Sequence, residues 1–302
     1  GNLEVKTGMI VNRVIYDEQK QKAKGVEVID RETGRTYEYY ARIIFLNAST
    51  VATTFLLLNS TGTRFPNGLG NDHDIVGRHL MDHHKSGGVN AEIEGFTDKY
   101  YYGRRPTGIY MPRFRNVKDK HPGFLRGYGV QGGASRSRNS GNGIGVELKE
   151  NITEPGGWRF GFTAFGECLP YPENRITLNK ELKDKWGRPT LTIDCSFRDN
   201  EKKMYQDSIE SMKEMLEKAG AKNVRHDGSM SFPGNANHEM GTARMGKDPK
   251  TSVLNKWNQV HDVKNVFITD GSCMASISCV NPSLTFMALT ARAADYAVAE
   301  MK

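Results

Sequence analysis

The run Ile43-Ile44-Phe45-Leu46-Asn47-Ala48-Ser49-Thr50 leads into an apolar stretch that ends at Leu58. Four continuous apolar residues mark a strand covered on both faces, and the stretch after Thr50 reads as a helix. Strand, tight turn and helix in that order are an α/β signature. Upstream, Val11, Val14 and Ile15 form one β-branched run and Val26, Val28 and Ile29 another, separated by a polar turn. Downstream the texture changes. Val89, Ala91 and Ile93 alternate, as do Phe160, Phe162 and Ala164, and again Leu191, Ile193, Cys195 and Phe197. Period two is the pattern of half-buried antiparallel strands, so an α+β part is expected over about residues 83–225. Asp199 or Asn200 is expected to cap a helix in which Tyr205, Ile209, Met212, Leu216 and Ala219 recur at helical spacing, and Gly220 closes it. Residues 266–269 read as a short buried strand. Pro282 starts a last helix with Leu284, Met287, Ala288, Ala291 and Ala294 on one face.

The 302 residues suggest about two domains, and 37% hydrophobic with 25% charged residues is a globular balance. No run approaches the roughly 18 apolar residues of a membrane span. Net charge is +7, but the basic residues are spread out with acidic ones among them. That is a solvated surface and not a nucleic-acid footprint. Cys168, Cys195, Cys273 and Cys279 form no C-x-x-C and no disulfide or zinc spacing. The compartment, cytoplasm or periplasm, stays open.

Two further motifs were weighed. Gly141-Asn142-Gly143-Ile144-Gly145 lacks the helical periodicity that should follow a phosphate-cradling loop, so it reads as a loop between strands. His79 and His83 are spaced as two metal ligands on one helix face, with Asp72 or His73 as a third. Gly77 and the loop-like flanks argue against such a helix, and no metal site is expected.

The informative segments come last. In His238-Glu239-Met240-Gly241-Thr242-Ala243-Arg244-Met245-Gly246 a histidine precedes two glycine turns, so backbone geometry rather than a helix holds it. Asp270-Gly271-Ser272 follows the buried strand, and Asn281-Pro282-Ser283-Leu284-Thr285 opens the last helix. A strand end facing a helix N-terminus suits a negatively charged ligand, because first-turn N–H groups lack helical partners.

In this order the three segments resemble the C-terminal signature of the glucose–methanol–choline (GMC) family of flavin oxidoreductases. Val76-Gly77-Arg78-His79-Leu80-Met81-Asp82-His83 resembles that family's crossing between domains. The stretches 172–178 and 183–187 are similar to those of its sugar- and polyol-oxidising dehydrogenases. Residues 95–157 resemble the family least.

The resemblance implies FAD as cofactor and an alcohol or sugar as substrate, oxidised by hydride transfer to flavin N5. It implies His238 as the base and Asn281 as the second catalytic residue. Asn281, Pro282 and Thr285 would face the flavin, Asp270 and Gly271 its ribityl–pyrophosphate arm, and Val11 the adenine. The electron acceptor would be a quinone, a cytochrome or a partner subunit, with oxygen as the alternative. The fold it implies is α/β plus α+β: residues 1–82 and 226–302 as the remnant of a Rossmann-like FAD-binding domain, and 83–225 as an antiparallel-sheet substrate domain. Family members open with strand, G-x-G-x-x-G and helix, which this sequence lacks. The chain is therefore expected to be the C-terminal portion of a longer protein, with roughly two hundred residues or more absent, and to be inactive alone. The contrasting expectation is a non-catalytic binding or structural domain.

Overall fold

In the computed structural model of the chain, which describes residues 2–85, 87–98, 108–138 and 143–301, the two β-branched runs pair antiparallel. They form β1 (Met9–Asp17) and β2 (Lys22–Asp30), and β3 (Thr36–Tyr40) extends the sheet. The apolar run that follows becomes β4 (Ile44–Phe45) and then α1 (Thr50–Asn59). Phe55, Leu56, Leu57 and Leu58 of α1 are all buried. Four successive apolar side chains point to every side of a helix, so α1 must be enclosed rather than laid on a surface.

The second texture builds one large antiparallel sheet. Its strands begin with β5 (His84–Lys85), β6 (Val89–Ile93), β7 (Gly108–Met111) and β8 (Tyr128–Arg138). After β8 comes the glycine-rich stretch. Gly141 and Asn142 lie outside the described residues, and a short helix does follow, α2 (Val146–Asn151), with no buried side chain. Then come β9 (Pro155–Gly166), the hairpin β10 (Arg175–Lys183) and β11 (Pro189–Asp194), α3 (Asp199–Lys218) and β12 (Lys222–His226). The large sheet runs β12-β6-β9-β8-β7, with β5 also on β9. Its period-two residues Val89, Ala91, Val130, Phe162 and Ala164 pack against Met204, Tyr205, Ile209, Met212 and Leu216 of α3.

Three details differ from the sequence reading. Arg198, not Asp199 or Asn200, caps α3, and its N–H donates to Glu201 Oε2 at 2.9 Å. The buried Glu201 carboxylate at N3 reaches back to the N-cap N–H, the half of a capping box that the third helical residue supplies. Ala219 is an exposed C-cap rather than core. The alternation through Leu191 and Ile193 stops at Asp194, so Cys195 and Phe197 lie beyond the strand. That hairpin forms its own two-stranded sheet, and Leu178 and Leu191 pack on the cluster around α1.

The chain returns to α1 with β13 (Gln259–Val260) and β14 (Val263–Phe267). β14 pairs parallel with β4, Val266 opposite Ile44 and Phe267 opposite Phe45. A parallel pair needs a long crossover, and here everything between residues 45 and 263 intervenes. The fold is thus mixed α/β with antiparallel sheets. The last helix, α4 (Ser283–Glu300), turns its inner face differently from the reading above. Ala293 and Ala297 are buried against Phe267, whereas Leu284 and Met287 are 78% and 68% exposed. Small alanines permit the close approach to the Phe267 ring. In a helix with apolar residues on several sides, periodicity alone does not select that face.

Leu57 is fully buried in the cluster that joins β1, α1 and the 253–268 region. Leu57→Ala is expected to cost about 2–5 kcal/mol, read as a lowered urea midpoint with unchanged slope.

Candidate active site

Three threonines on one side of α1 hold the site's backbone. Thr50 Oγ1 donates to the Glu239 carbonyl at 2.5 Å, and Thr53 Oγ1 donates to Asp270 Oδ2 at 2.5 Å. Thr54 Oγ1 donates to the Thr50 carbonyl at 2.6 Å and accepts from Thr242 Oγ1 at 2.7 Å. Positions i, i+3 and i+4 share a helix face, so one helix grips both motif segments. The segments also bond to each other: Gly241, Ala243 and Met245 N–H groups donate to the carbonyls of Gly271, Ser272 and Cys273 at 2.9–3.0 Å. Gly271 sits where α1 and the 238–246 segment close on the turn after β14. A Cβ there would fall 2.4 Å from the Glu239 oxygen and 2.5 Å from Thr50 Oγ1.

The crossing segment runs along the other side. Met81 and Met240 exchange two backbone hydrogen bonds of 2.9 Å. Next to them Asp82 is buried, and its two oxygens accept four backbone N–H groups. Oδ1 takes those of His83 (2.9 Å) and His238 (3.2 Å), and Oδ2 takes those of Gly234 (2.8 Å) and Ala236 (3.1 Å). The loop that carries His238 is therefore fastened to the crossing segment by one side chain.

His238 and Asn281, 43 positions apart, meet: Asn281 Nδ2 lies 3.2 Å from His238 Nε2. On its other side His238 Nδ1 is 3.0 Å from His83 Nδ1, and His83 Nε2 is 3.0 Å from the Ser278 carbonyl oxygen. Asn281 Oδ1 accepts from Gln131 Nε2 of β8 at 2.9 Å. Phe165 of β9 packs on both histidines, with ring centroids 6.0 Å from each. The approach of the 278–281 segment to β8 depends on Gly129, where a Cβ would come within 2.8 Å of the Cys279 carbonyl oxygen.

Gln131, Phe165 and Ser278 were not singled out by the sequence. Gln131 sits in β8, within the residues 95–157 that resemble the family least. The one usable signal was alternation along β8, where Tyr128 and Val130 face α3 and Gln131 faces away.

The other candidates occupy neighbouring places. Asp270 Oδ1 accepts from Ser272 N–H (3.0 Å) and Ser272 Oγ (2.5 Å), so with Thr53 on its second oxygen the carboxylate is occupied within the protein. Pro282 is buried and serves as the N-cap of α4, one position before the first helical residue. Asn281 and Thr285 are exposed at that helix start. The first-turn amides of Ser283, Leu284 and Thr285 have no intrahelical acceptor. Val11 lies elsewhere: with Ala48, Phe55, Leu56 and Leu191 it lines an apolar groove of about 640 Å³. It is not among the hydrogen-bonded partners of His238 and Asn281.

The histidines weighed as metal ligands are engaged separately. His79 Nδ1 donates to the Pro170 carbonyl at 2.9 Å, and His83 belongs to the chain just described. Burial, with His238 close by, lowers the pKa of His83 to about 4. Burial lowers that of His84 to about 3. Both are neutral in the fold at ordinary pH.

Family models described as GMC oxidoreductase match residues 1–85 and 170–290, together about two thirds of the chain. The chain belongs to the GMC oxidoreductase family. A 2-methyl-1,2-propanediol dehydrogenase of Mycolicibacterium austroafricanum is 33% identical over 284 residues, covering 91% of this chain and 51% of the relative. The fructose dehydrogenase large subunit of Gluconobacter japonicus is 27% identical over 302 residues, covering 97% and 54%. The chain thus spans about half the length of the curated relatives it matches. Among solved structures, a formate oxidase of Aspergillus oryzae RIB40, studied for modification of its FAD, aligns with a TM-score of 0.67. It is 17% identical, and the alignment covers 97% of this chain and 60% of that one. At that identity the likeness speaks for the fold.

Two predictions follow from this geometry. Asp82→Asn replaces one acceptor oxygen by an amide donor facing two N–H groups, and should lower unfolding free energy by at least about 2 kcal/mol in chemical denaturation. The second concerns acid. Below pH about 6.5 the unfolded chain protonates His83 and His84 while the fold keeps them neutral, so the unfolded state binds more protons and stability falls. Each group contributes up to ~1.4 kcal/mol per pH unit. The loss begins near the unfolded pKa and levels off as the folded groups titrate, about 4 for His83 and about 3 for His84. Denaturant midpoints across that range check it.

Proposed function

We propose that this chain carries the substrate-activating half of an FAD-dependent oxidoreductase acting on an alcohol group of a sugar, glycoside or polyol. The observation that carries the reading is the 3.2 Å pairing of His238 Nε2 with the Asn281 amide beside the N-terminus of α4. The family membership and the alcohol- and sugar-oxidising names of the relatives support it.

On this reading residues 1–82 and 226–302 belong to a Rossmann-like FAD-binding domain and 83–225 to the substrate domain. The residues present fit such a cofactor in two ways. The exposed first turn of an 18-residue helix offers free N–H groups to a negatively charged edge. The groove at Val11 offers an apolar wall. Asn281, Pro282 and Thr285 would hold the ring edge. Asp270, its oxygens occupied by Thr53 and Ser272, would act by shaping the turn, so that the backbone at Asp270 and Gly271 meets the cofactor's arm. When bound, FAD supplies the hydride acceptor.

The protein's share of the chemistry is proton transfer and orientation. An alcohol loses its hydroxyl proton as its carbon gives up hydride. Neutral imidazole suits the proton, its ordinary pKa lying near 6.5. An amide is no base, but the Asn281 Nδ2 group can donate to the alcohol oxygen and hold it beside His238 Nε2. Gln131 fixes the amide by occupying its oxygen. The α4 dipole and first-turn amides favour negative charge in front of them by about 0.3–2 kcal/mol. That the fructose relative is named a large subunit supports a partner subunit for this protein too.

In the full-length protein, His238→Ala should lower turnover by about 10²–10⁴-fold while leaving flavin absorbance in place. Dye reduction by a panel of sugars and diols measures it, and a loss below tenfold would sink the assignment of the base.

A further inference from the structure

A hydrogen-bonded chain through the site has only one consistent polarity. At its inner end stands the Ser278 carbonyl, which can only accept. It lies 3.0 Å from His83 Nε2, so that nitrogen carries a proton. His83 is fully buried and neutral, which leaves its Nδ1 as an acceptor. Its neighbour at 3.0 Å is His238 Nδ1, which must therefore be the donor. A neutral His238 protonated on Nδ1 keeps a bare lone pair on Nε2. There the Asn281 amide donates, and Gln131 donates in turn to the amide oxygen. Reversing any member would set two lone pairs or two N–H groups against each other.

We propose that His83 is a positioning residue that, anchored on the Ser278 carbonyl, selects the Nδ1–H tautomer of His238 and so leaves Nε2 bare to receive the substrate proton. Free imidazole side chains favour the opposite tautomer, so the choice requires an acceptor at Nδ1, and His83 supplies it. Two features hold the selector. The Asp82 carboxylate accepts the backbone N–H groups of both His83 and His238, which sets the spacing of the two rings. Ser278 has φ +64°, a region that non-glycine residues seldom occupy, and this conformation aims its carbonyl at His83.

The proposal rests on reading His238 as the proton acceptor, and its test separates the two. Nitrogen-15 spectra of the histidine-labelled full-length protein at about pH 8, where imidazoles are neutral, report each ring's tautomer independently of turnover. His238 should be protonated on Nδ1 in the wild-type chain. His83→Asn, whose Oδ1 replaces the Nδ1 acceptor, should keep that tautomer. His83→Leu should shift His238 toward Nε2–H. In the full-length protein His83→Leu should lower kcat by about tenfold or more with KM changed less than about threefold, and His83→Asn should restore most of the loss. An Nε2–H tautomer of His238 in the wild-type chain overturns the proposal even if no variant folds. An unchanged His238 tautomer in a folded His83→Leu chain overturns it as well. Loss of the base reading would show instead as an active His238→Ala protein, while His238 of the wild-type protein still carries its proton on Nδ1.

Discussion

One carboxylate organises the site. Asp82 lies buried where the crossing segment meets the loop 234–238, and its two oxygens take four backbone N–H groups. Loops are ordinarily exposed because their backbone groups need partners. Here the carboxylate is brought to a partly exposed loop, and it pins buried Ala236 and half-buried His238 against the crossing segment. Remove those acceptors and the N–H groups of buried His83 and Ala236 lose their partner, at the cost that attends any unsatisfied buried donor. The pairing of His238 with Asn281, the contact with His83 and the ladder between 241–245 and 271–273 all presuppose that this loop stays where Asp82 holds it.

A second layer of constraint comes from α1. Its leucines and Phe55 bind it into the core, while Thr50, Thr53 and Thr54 reach the segments on either side of the site. The helix is thus both core and scaffold. The same economy recurs in β8, whose Tyr128 and Val130 pack on α3 while Gln131 reaches Asn281 from the opposite face. Period-two and helical geometry make such division of labour possible: one side of an element is spent on burial and the other is free to hold a polar site. Site groups mounted on rigid elements in this way are held more closely than groups on free loops.

Much of this was legible in the sequence because the motifs are local. His238 with its glycine turns, Asp270-Gly271-Ser272 after a strand, and Asn281-Pro282 before a helix each carry their geometry in adjacent residues. The strand–turn–helix at 43–58 and the spacing in α3 were equally readable. What was hidden depends on long-range contact. The three threonines of α1 look like ordinary helix residues until residues 239, 242 and 270 arrive beside them. Gln131 stands in a glycine-rich stretch with no motif of its own. The cap of α3 moved by one residue because Glu201 reaches back to Arg198. The inner face of α4 was misjudged, since Ala293 and Ala297 differ from their alanine neighbours only in lying against Phe267.

The central claim is that the alcohol oxygen is received between His238 Nε2 and the Asn281 amide, in front of α4. The most direct measurement is a crystal structure of the full-length holoprotein with an unreactive alcohol or sugar analogue bound. The account predicts a hydroxyl oxygen within hydrogen-bond distance of both His238 Nε2 and Asn281 Nδ2, with the isoalloxazine ring against the first turn of α4. A hydroxyl bound out of reach of His238, or a ring placed away from α4, would contradict it.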